Sequence, residues 1–307
     1  MKLFFARKKQ IVIPSLLIII LFFTYACAPR ETVLPPTAPG NTASKQAKIA
    51  LVLGAGAARG FAHIGVLKVM EANKVPIHMI IGTSAGSFVG SLYAYGYNAF
   101  QLQKMALSIE KGDVIDYTIP DNGFIKGDKL EEYLNNIFKS TPIEKFRTPF
   151  YAIATNLPSG QEVVFGQGNA GKAVRASCSI PGIFRPAKIA DKMYIDGGVV
   201  SPVAVDVARR YGADVVIAVD ISADLDKKQP EGTIDTILQS INIMYSRLAA
   251  TQLTRADIVI KPKAGHIGSA DLEKRHEAIM EGEKAALEVL PALQNLVSKL
   301  RQEGRLE

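Results

Sequence analysis

Residues Gly82-Thr83-Ser84-Ala85-Gly86 form a G-x-S-x-G pattern with an apolar run before it and a helix-like stretch after it. In that setting the pattern describes a sharp strand-to-helix turn that holds a serine hydroxyl clear of the backbone. Glycines stand on both sides because a side chain there would collide with neighbouring main chain. The following helix points unpaired N–H groups toward the serine oxygen. Such a serine can attack a carbonyl carbon. The bland alternative is a tight turn with a structural serine.

A second segment, Gly54-Ala55-Gly56-Ala57-Ala58-Arg59-Gly60, also lies between a strand-like and a helix-like run. It is not a dinucleotide loop. Counted from Gly54, the last glycine of G-x-G-x-x-G falls on Arg59, and Val75, Pro76, Ile77 and His78 fill the window where an acid is needed. No Gly-Lys-Ser/Thr marks a P-loop. What remains is a loop of small residues whose amides suit an oxyanion at a helix start. With an activated serine, that is one half of an acyl-transfer site.

Both segments need a scaffold, and the pattern supplies one. Ile49-Ala50-Leu51-Val52-Leu53 is continuously apolar, as expected of a strand covered on both faces, and residues 61–70 repeat their apolar positions at helical spacing. The unit recurs with a strand over 77–81, a turn over 82–86 and a helix over 87–95. Two successive strand–turn–helix units imply a right-handed crossover with both turns at one edge of a parallel sheet. Further strands are predicted over 150–155, 162–165, 192–195, 215–219 and near 258–261. Helices are predicted over 129–139, 169–177, 203–211 and 233–254. Residues 271–303 read as terminal helices, with Pro291 starting the second or kinking the first.

The 307 residues are 48% hydrophobic and 21% charged, a globular balance. The net charge of +7 comes largely from Lys2, Arg7, Lys8 and Lys9; the chain beyond residue 26 carries 32 basic and 29 acidic residues. That distribution leaves no basic stripe for nucleic acid. Two cysteines and four scattered histidines make no metal site and no disulfide framework, and no cofactor is implied. Cys178 reads as a small buried hydrophobe.

The N-terminus has a basic stretch to Gln10, an uncharged apolar run from Ile11 to Ala28, and a Pro-rich stretch with Pro29, Pro35, Pro36 and Pro39. This is a targeting segment followed by a solvated tether. Thr24-Tyr25-Ala26-Cys27 resembles the lipobox of bacterial lipoproteins, which implies lipidation of Cys27. Thr24 and Tyr25 depart from the usual residues, and an uncleaved membrane helix is the alternative. Either way the body is expected to be exported and held at a membrane by a lipid anchor or a signal anchor.

The run Ala58-Arg59-Gly60-Phe61-Ala62-His63-Ile64-Gly65-Val66-Leu67, the Gly82–Gly86 elbow and Asp196-Gly197-Gly198 together resemble the patatin-like phospholipase family, in its bacterial branch related to the neuropathy target esterase catalytic domain. Gly123-Phe124-Ile125-Lys126-Gly127, Ala154-Thr155-Asn156-Leu157 and Ser179-Ile180-Pro181-Gly182 add to the likeness. The resemblance implies an α/β fold, a patatin-like three-layer α/β/α sandwich with a mostly parallel central sheet and a nucleophile elbow after a strand. With the N-terminal pattern giving a leader over 1–26 and a tether over 27–47, a catalytic domain is expected over 48–260 and a helical extension over 261–307. The resemblance further implies a Ser–Asp dyad of Ser84 as nucleophile and Asp196 as proton acceptor, with the amides of Ala55, Gly56 and Ala57 as the oxyanion hole. Gly54, Arg59, Gly60, Gly82, Gly86, Gly197 and Gly198 are the motif residues. Without the resemblance, Asp196 reads as an Asx-turn residue. Ala55 and Ala57 stand where the family loop is usually glycine, which can narrow access or restrict positive φ.

The expected activity is hydrolysis of carboxylic esters of phospholipids, lysophospholipids or other lipids through an acyl-serine intermediate. The substrate partner is a lipid ester at a membrane, and the oligomeric state is left open. Two alternatives stand beside it: a Ser-His-Asp esterase, for which His266 is the histidine to consider, and a catalytically silent lipid-binding lipoprotein. The anchor is tested directly. Mass spectrometry of the mature N-terminus is expected to find a lipid on Cys27, with outer-membrane sorting because Ala28 follows it; an intact Met1 or an unmodified Cys27 refutes the lipoprotein reading.

Overall fold

The computed structural model of the protein describes residues 45–225 and 229–307. The leader over 1–26, Cys27 and nearly all of the tether over 27–47 lie outside them. The elements in chain order are β1 (Ile49–Leu53), α1 (Phe61–Ala72), β2 (Met79–Thr83), α2 (Ala85–Tyr95), α3 (Ala99–Ser108), α4 (Lys111–Val114), α5 (Asp128–Phe138), β3 (Phe150–Asn156), β4 (Glu162–Phe165), α6 (Ala170–Ser177), β5 (Ala187–Ile189), β6 (Lys192–Asp196), α7 (Val205–Arg210), β7 (Val215–Val219), α8 (Thr233–Leu253), β8 (Ile258–Ile260) and α9 (Arg275–Gln302). Short 3-10 turns at Ala57–Gly60 and Gly197–Val199 join the two site segments to this frame.

The sheet runs β5-β6-β3-β2-β1-β7-β8, with β4 also paired to β3. β3, β2, β1, β7 and β8 are parallel, whereas β4 and β6 pair antiparallel to β3 and β5 antiparallel to β6. All five residues of β1, β2 and β7 are buried, so their unbroken apolar runs reflect cover on both faces. On one face Leu51, Leu53, Ile80 and Ile217 pack with Leu67, Val89, Leu134 and Ile279 from helices. On the other, Val52, Ile81 and Val216 pack with Val205, Val207 and Ala208 of α7 and Ala249 of α8. These are the three α/β/α layers.

Three local departures from the sequence pattern have identifiable causes. β2 starts at Met79 and continues through Gly82 and Thr83, because those two residues still pair with Leu53 of β1 and Ile153 of β3. The pattern assigns no element to residues 96–114, yet α3 forms there behind an Asn98/Gln101 capping box. The terminal stretch is one helix, α9, with Pro291 inside it. Pro291 withdraws an amide from the Leu287 carbonyl, but Leu287 is an exposed residue and water can replace that donor.

α9 belongs to the body, against α1. A Cβ on Gly65 would lie 2.0 Å from the Ile279 carbonyl oxygen, and one on Gly282 would lie 1.9 Å from that of Ala62. The two helices therefore meet backbone to backbone, which seats α1 and the loop before it. Gly65→Val is expected to force the helices apart and cost about 1–3 kcal/mol or more. In thermal denaturation the melting temperature falls by roughly 5–10 °C; an unchanged transition would mean that this contact does not hold the helices.

Candidate active site

Ser84 stands alone between β2 and α2, with φ 53° and ψ −122°. Non-glycine residues avoid that region, so the surroundings must hold it there. The Ser84 N–H donates to Ser177 Oγ at 2.9 Å, and Thr83 Oγ1 donates to the Ser201 carbonyl at 2.9 Å. The Ser84 carbonyl accepts from the N–H groups of Ser87 and Phe88 and from Ser87 Oγ. The flanking glycines are steric requirements. A Cβ on Gly82 would lie 2.5 Å from Ser87 Cα, and one on Gly86 would lie 2.0 Å from the Leu53 carbonyl oxygen.

Asp196 ends β6, opposite Ala154 of β3. Its N–H donates to the Ser179 carbonyl and its own carbonyl accepts from Thr155 Oγ1, each at 2.9 Å. The side chain is fully buried. Oδ2 accepts from Ser84 Oγ at 2.6 Å and Oδ1 accepts from the Gly198 N–H at 2.7 Å. Burial pushes the carboxyl up to about 6 from 3.8, against the opposing pull of those hydrogen bonds. The gain in basicity is about 3 kcal/mol, and the group is still ionised at neutral pH. An acceptor of this strength, 2.6 Å from a serine hydroxyl, can take its proton as a bond forms to carbon.

The loop after β1 supplies donors, though not all three expected ones. The Ala55 N–H donates to the Pro202 carbonyl at 2.9 Å, so Ala55 is corrected from oxyanion donor to structural contact. Gly56 and Ala57 have no acceptor for their N–H groups among the described residues, nor does Ala85 at the start of α2. Ala57 takes φ 51°, the left-handed conformation at which a glycine would carry no penalty. The loop lies against the elbow, since a Cβ on Gly60 would come within 2.6 Å of Ala85 Cβ. Gly54 donates its N–H to the Val219 carbonyl and accepts from His63 Nε2 at 2.9 Å. Arg59 is buried and donates to the carbonyls of Ile221 and Ile267 and to Asn242 Oδ1, pinning the loop to the body. Burial lowers its guanidinium to about 10, still cationic at neutral pH.

Ser84 borders a cavity of about 330 Å³. Phe61, Phe88, Leu102, Met105, Val114 and Leu130 line it, and Ala57 and Ala85 share its wall. It is an apolar space with hydroxyl and amide chemistry at one wall, the usual form of a small-ligand site. Cys178 also borders it and is half-buried rather than the fully buried hydrophobe expected; desolvation pushes its thiol up to about 12.

Among the described residues, no histidine hydrogen-bonds Ser84 or Asp196. His266 is exposed and pairs with Glu277 at 2.6 Å, and wholly buried His63 is lowered to about 4 by desolvation. The structure therefore corrects the His266 alternative. Ser177, Thr155 and Tyr245, whose buried hydroxyl lies at Asp196, have no distinguishing pattern in the sequence. No cluster of His, Cys, Asp and Glu suited to a metal occurs among the described residues.

The family model described as patatin-like phospholipase matches residues 51–209, which include the loop, the elbow and Asp196. The chain belongs to the patatin-like phospholipase family. A lysophospholipase named NTE1 from Pyricularia oryzae is 29% identical over 84% of this chain and 19% of its own length. The human patatin-like phospholipase domain-containing protein 6 is 34% identical over 68% of this chain and 15% of its own length. The patatin-like chain thus spans less than a fifth of these curated relatives. Among solved structures, VipD from Legionella pneumophila superposes with a TM-score of 0.47 at 14% identity, over 80% of this chain and 67% of that one.

The buried carboxyl gives this patatin-like site an expected pH response. Labelling of Ser84 by a fluorophosphonate is expected to fall as pH drops through about 6, where Asp196 gains its proton, and to vanish in Asp196→Asn while persisting in His266→Ala. Because the folded carboxyl is raised above its unfolded value, the ionised form is destabilising above about pH 6 and that penalty is gone below about 3.8. Asp196→Asn should therefore melt several degrees higher at pH 8, with the gap closing between pH 6 and 4. Undiminished labelling of Asp196→Asn overturns the pairing.

Proposed function

We propose that this chain hydrolyses carboxylic esters of lipids through an acyl-serine intermediate, with lysophospholipids as the first substrates to test. The observation that carries the reading is the 2.6 Å hydrogen bond from Ser84 Oγ to buried Asp196, at the wall of an apolar cavity. Ser84 Oγ attacks the ester carbonyl while Asp196 takes its proton. The amides of Gly56 and Ala57, with that of Ala85, stabilise the oxyanion. The leaving alcohol carries off the proton from Asp196, and water, deprotonated by the same carboxylate, releases the fatty acid. The apolar wall supports an acyl chain as the bound part. The relatives are named a lysophospholipase and a patatin-like phospholipase domain-containing protein, which supports the lipid class.

The same reading has the body exported and tethered to a membrane through a lipid on Cys27, in the outer membrane where the cell has one. The basic start, the apolar run that ends at the cysteine and the Pro-rich stretch support it. Tethering raises the local concentration of a bilayer substrate.

Purified protein incubated with lysophosphatidylcholine, phosphatidylcholine and a monoacylglycerol is expected to release free fatty acid from at least one of them. Ser84→Ala should lower that release by about 10³-fold or more. Folded protein whose Ser84 resists a fluorophosphonate and which releases no fatty acid would instead be a silent lipid-binding member of the family.

A further inference from the structure

Behind the Ser84–Asp196 pair lies a buried phenol with no assigned task. Tyr245 on α8 is 6% exposed, and its hydroxyl has no partner in full hydrogen-bonding geometry among the described residues. The hydroxyl lies at the Asp196 carboxylate and interacts with it electrostatically. The ring covers Gly198, the residue whose N–H holds Asp196 Oδ1. A Cβ on Gly198 would fall 2.2 Å from Tyr245 Cζ and 2.6 Å from its hydroxyl oxygen. The second glycine of the Asp196-Gly197-Gly198 motif thus leaves room for this tyrosine. A phenylalanine would fill the same space without the cost of an unpaired buried hydroxyl.

Asp196 needs another donor at one stage of the reaction. With Ser84 free, its two oxygens accept from Ser84 Oγ and the Gly198 N–H. As the bond forms from Ser84 Oγ to the carbonyl carbon, the serine proton passes to Asp196. As the bond from that carbon to the leaving oxygen breaks, the proton departs with the alcohol. Asp196 is then a buried carboxylate beside an acylated Oγ that has no proton to give. We propose that Tyr245 is a positioning residue that donates its O–H to Asp196 in this state, holding the carboxylate ionised and oriented for the attacking water. The proposal rests on the dyad reading above.

The groups that face Asp196 are Ser84 from the elbow between β2 and α2, Cys178 after α6, the Gly198 amide and Tyr245 from α8. Burial raises both the Cys178 thiol and the Tyr245 phenol, so both stay neutral where Asp196 titrates. Arg175, which faces Cys178, is engaged with Ser179 Oγ and the Lys126 carbonyl. Tyr245 is therefore the side chain placed to replace the serine donor.

The test follows the Asp196 carboxyl by ¹³C NMR titration with and without Tyr245→Phe, in the Ser84 protein and in Ser84→Ala, which mimics loss of the serine donor. In Ser84→Ala, Tyr245→Phe is expected to raise the midpoint by about one pH unit, a tenfold change in proton affinity, with a smaller rise when Ser84 is present. In the Ser84 protein, Tyr245→Phe should also accumulate acyl-enzyme by slowing deacylation about tenfold. A folded Tyr245→Phe with unmoved midpoints overturns the proposal, even if it melts higher for having lost an unpaired hydroxyl. Should Tyr245→Phe not fold, 3-fluorotyrosine at position 245 keeps the shape with a stronger donor and should lower the midpoint; no movement overturns the proposal. A shifted midpoint in a protein that turns over no ester would overturn the hydrolase reading alone.

Discussion

Asp196 holds its carboxyl group fully buried, within hydrogen-bond reach of Ser84 at the cavity wall, and much of the molecule is arranged around that demand. A fully buried carboxylate is tolerated only when its oxygens are paired, and the partners here come from separate parts of the chain. The serine comes from the end of β2, the amide from the turn after β6, and the backbone anchor from Thr155 on β3. β3 pairs with both β2 and β6, so one strand sets the spacing between the two members of the site. The sheet therefore changes from parallel to antiparallel at the strand where Ser84 and Asp196 are brought together.

The same economy governs the elbow. Ser84 keeps a backbone conformation it would not choose, and the compensation is local: a hydroxyl from α6 receives its N–H, and the first turn of α2 folds back onto its carbonyl. The loop after β1 repeats the device with Ala57 at positive φ, stabilised from below by buried Arg59 and His63. An alanine at that position retains the conformation and the amide. What it adds is a methyl group at the cavity wall.

How much of this was legible in the sequence depended on whether the cause was local. The strands β1 and β7 and the helices α5 and α8 announce themselves by unbroken apolar runs or helical periodicity. The elbow does so because two glycines are the only residues its close backbone approach allows. Ser84 and Gly56 could be read that way, whereas Asp196 needed the family resemblance, since an Asp before two glycines also describes an ordinary turn. Ala55 departs from the local pattern because its amide is consumed by the carbonyl of Pro202, a residue far along the chain that no local pattern connects to it. Ser177 and Tyr245 were illegible for the same reason: each looks ordinary within its own helix and acquires meaning only from the element packed against it. α3 begins with a capping box, yet its apolar residues are too sparse to dominate the pattern.

The chain enters and leaves the body side by side. The Ala47 N–H donates to the Arg305 carbonyl, and Arg305 pairs with Asp214 beside the start of β7. That junction lies where the parallel strands begin, whereas Ser84 lies where they end, about 17 Å away along a five-residue strand. A body held from either terminus is therefore gripped by its back. Any such hold leaves Ser84 and the cavity it borders at the opposite edge of the sheet, so the ends of the described chain do not crowd the serine.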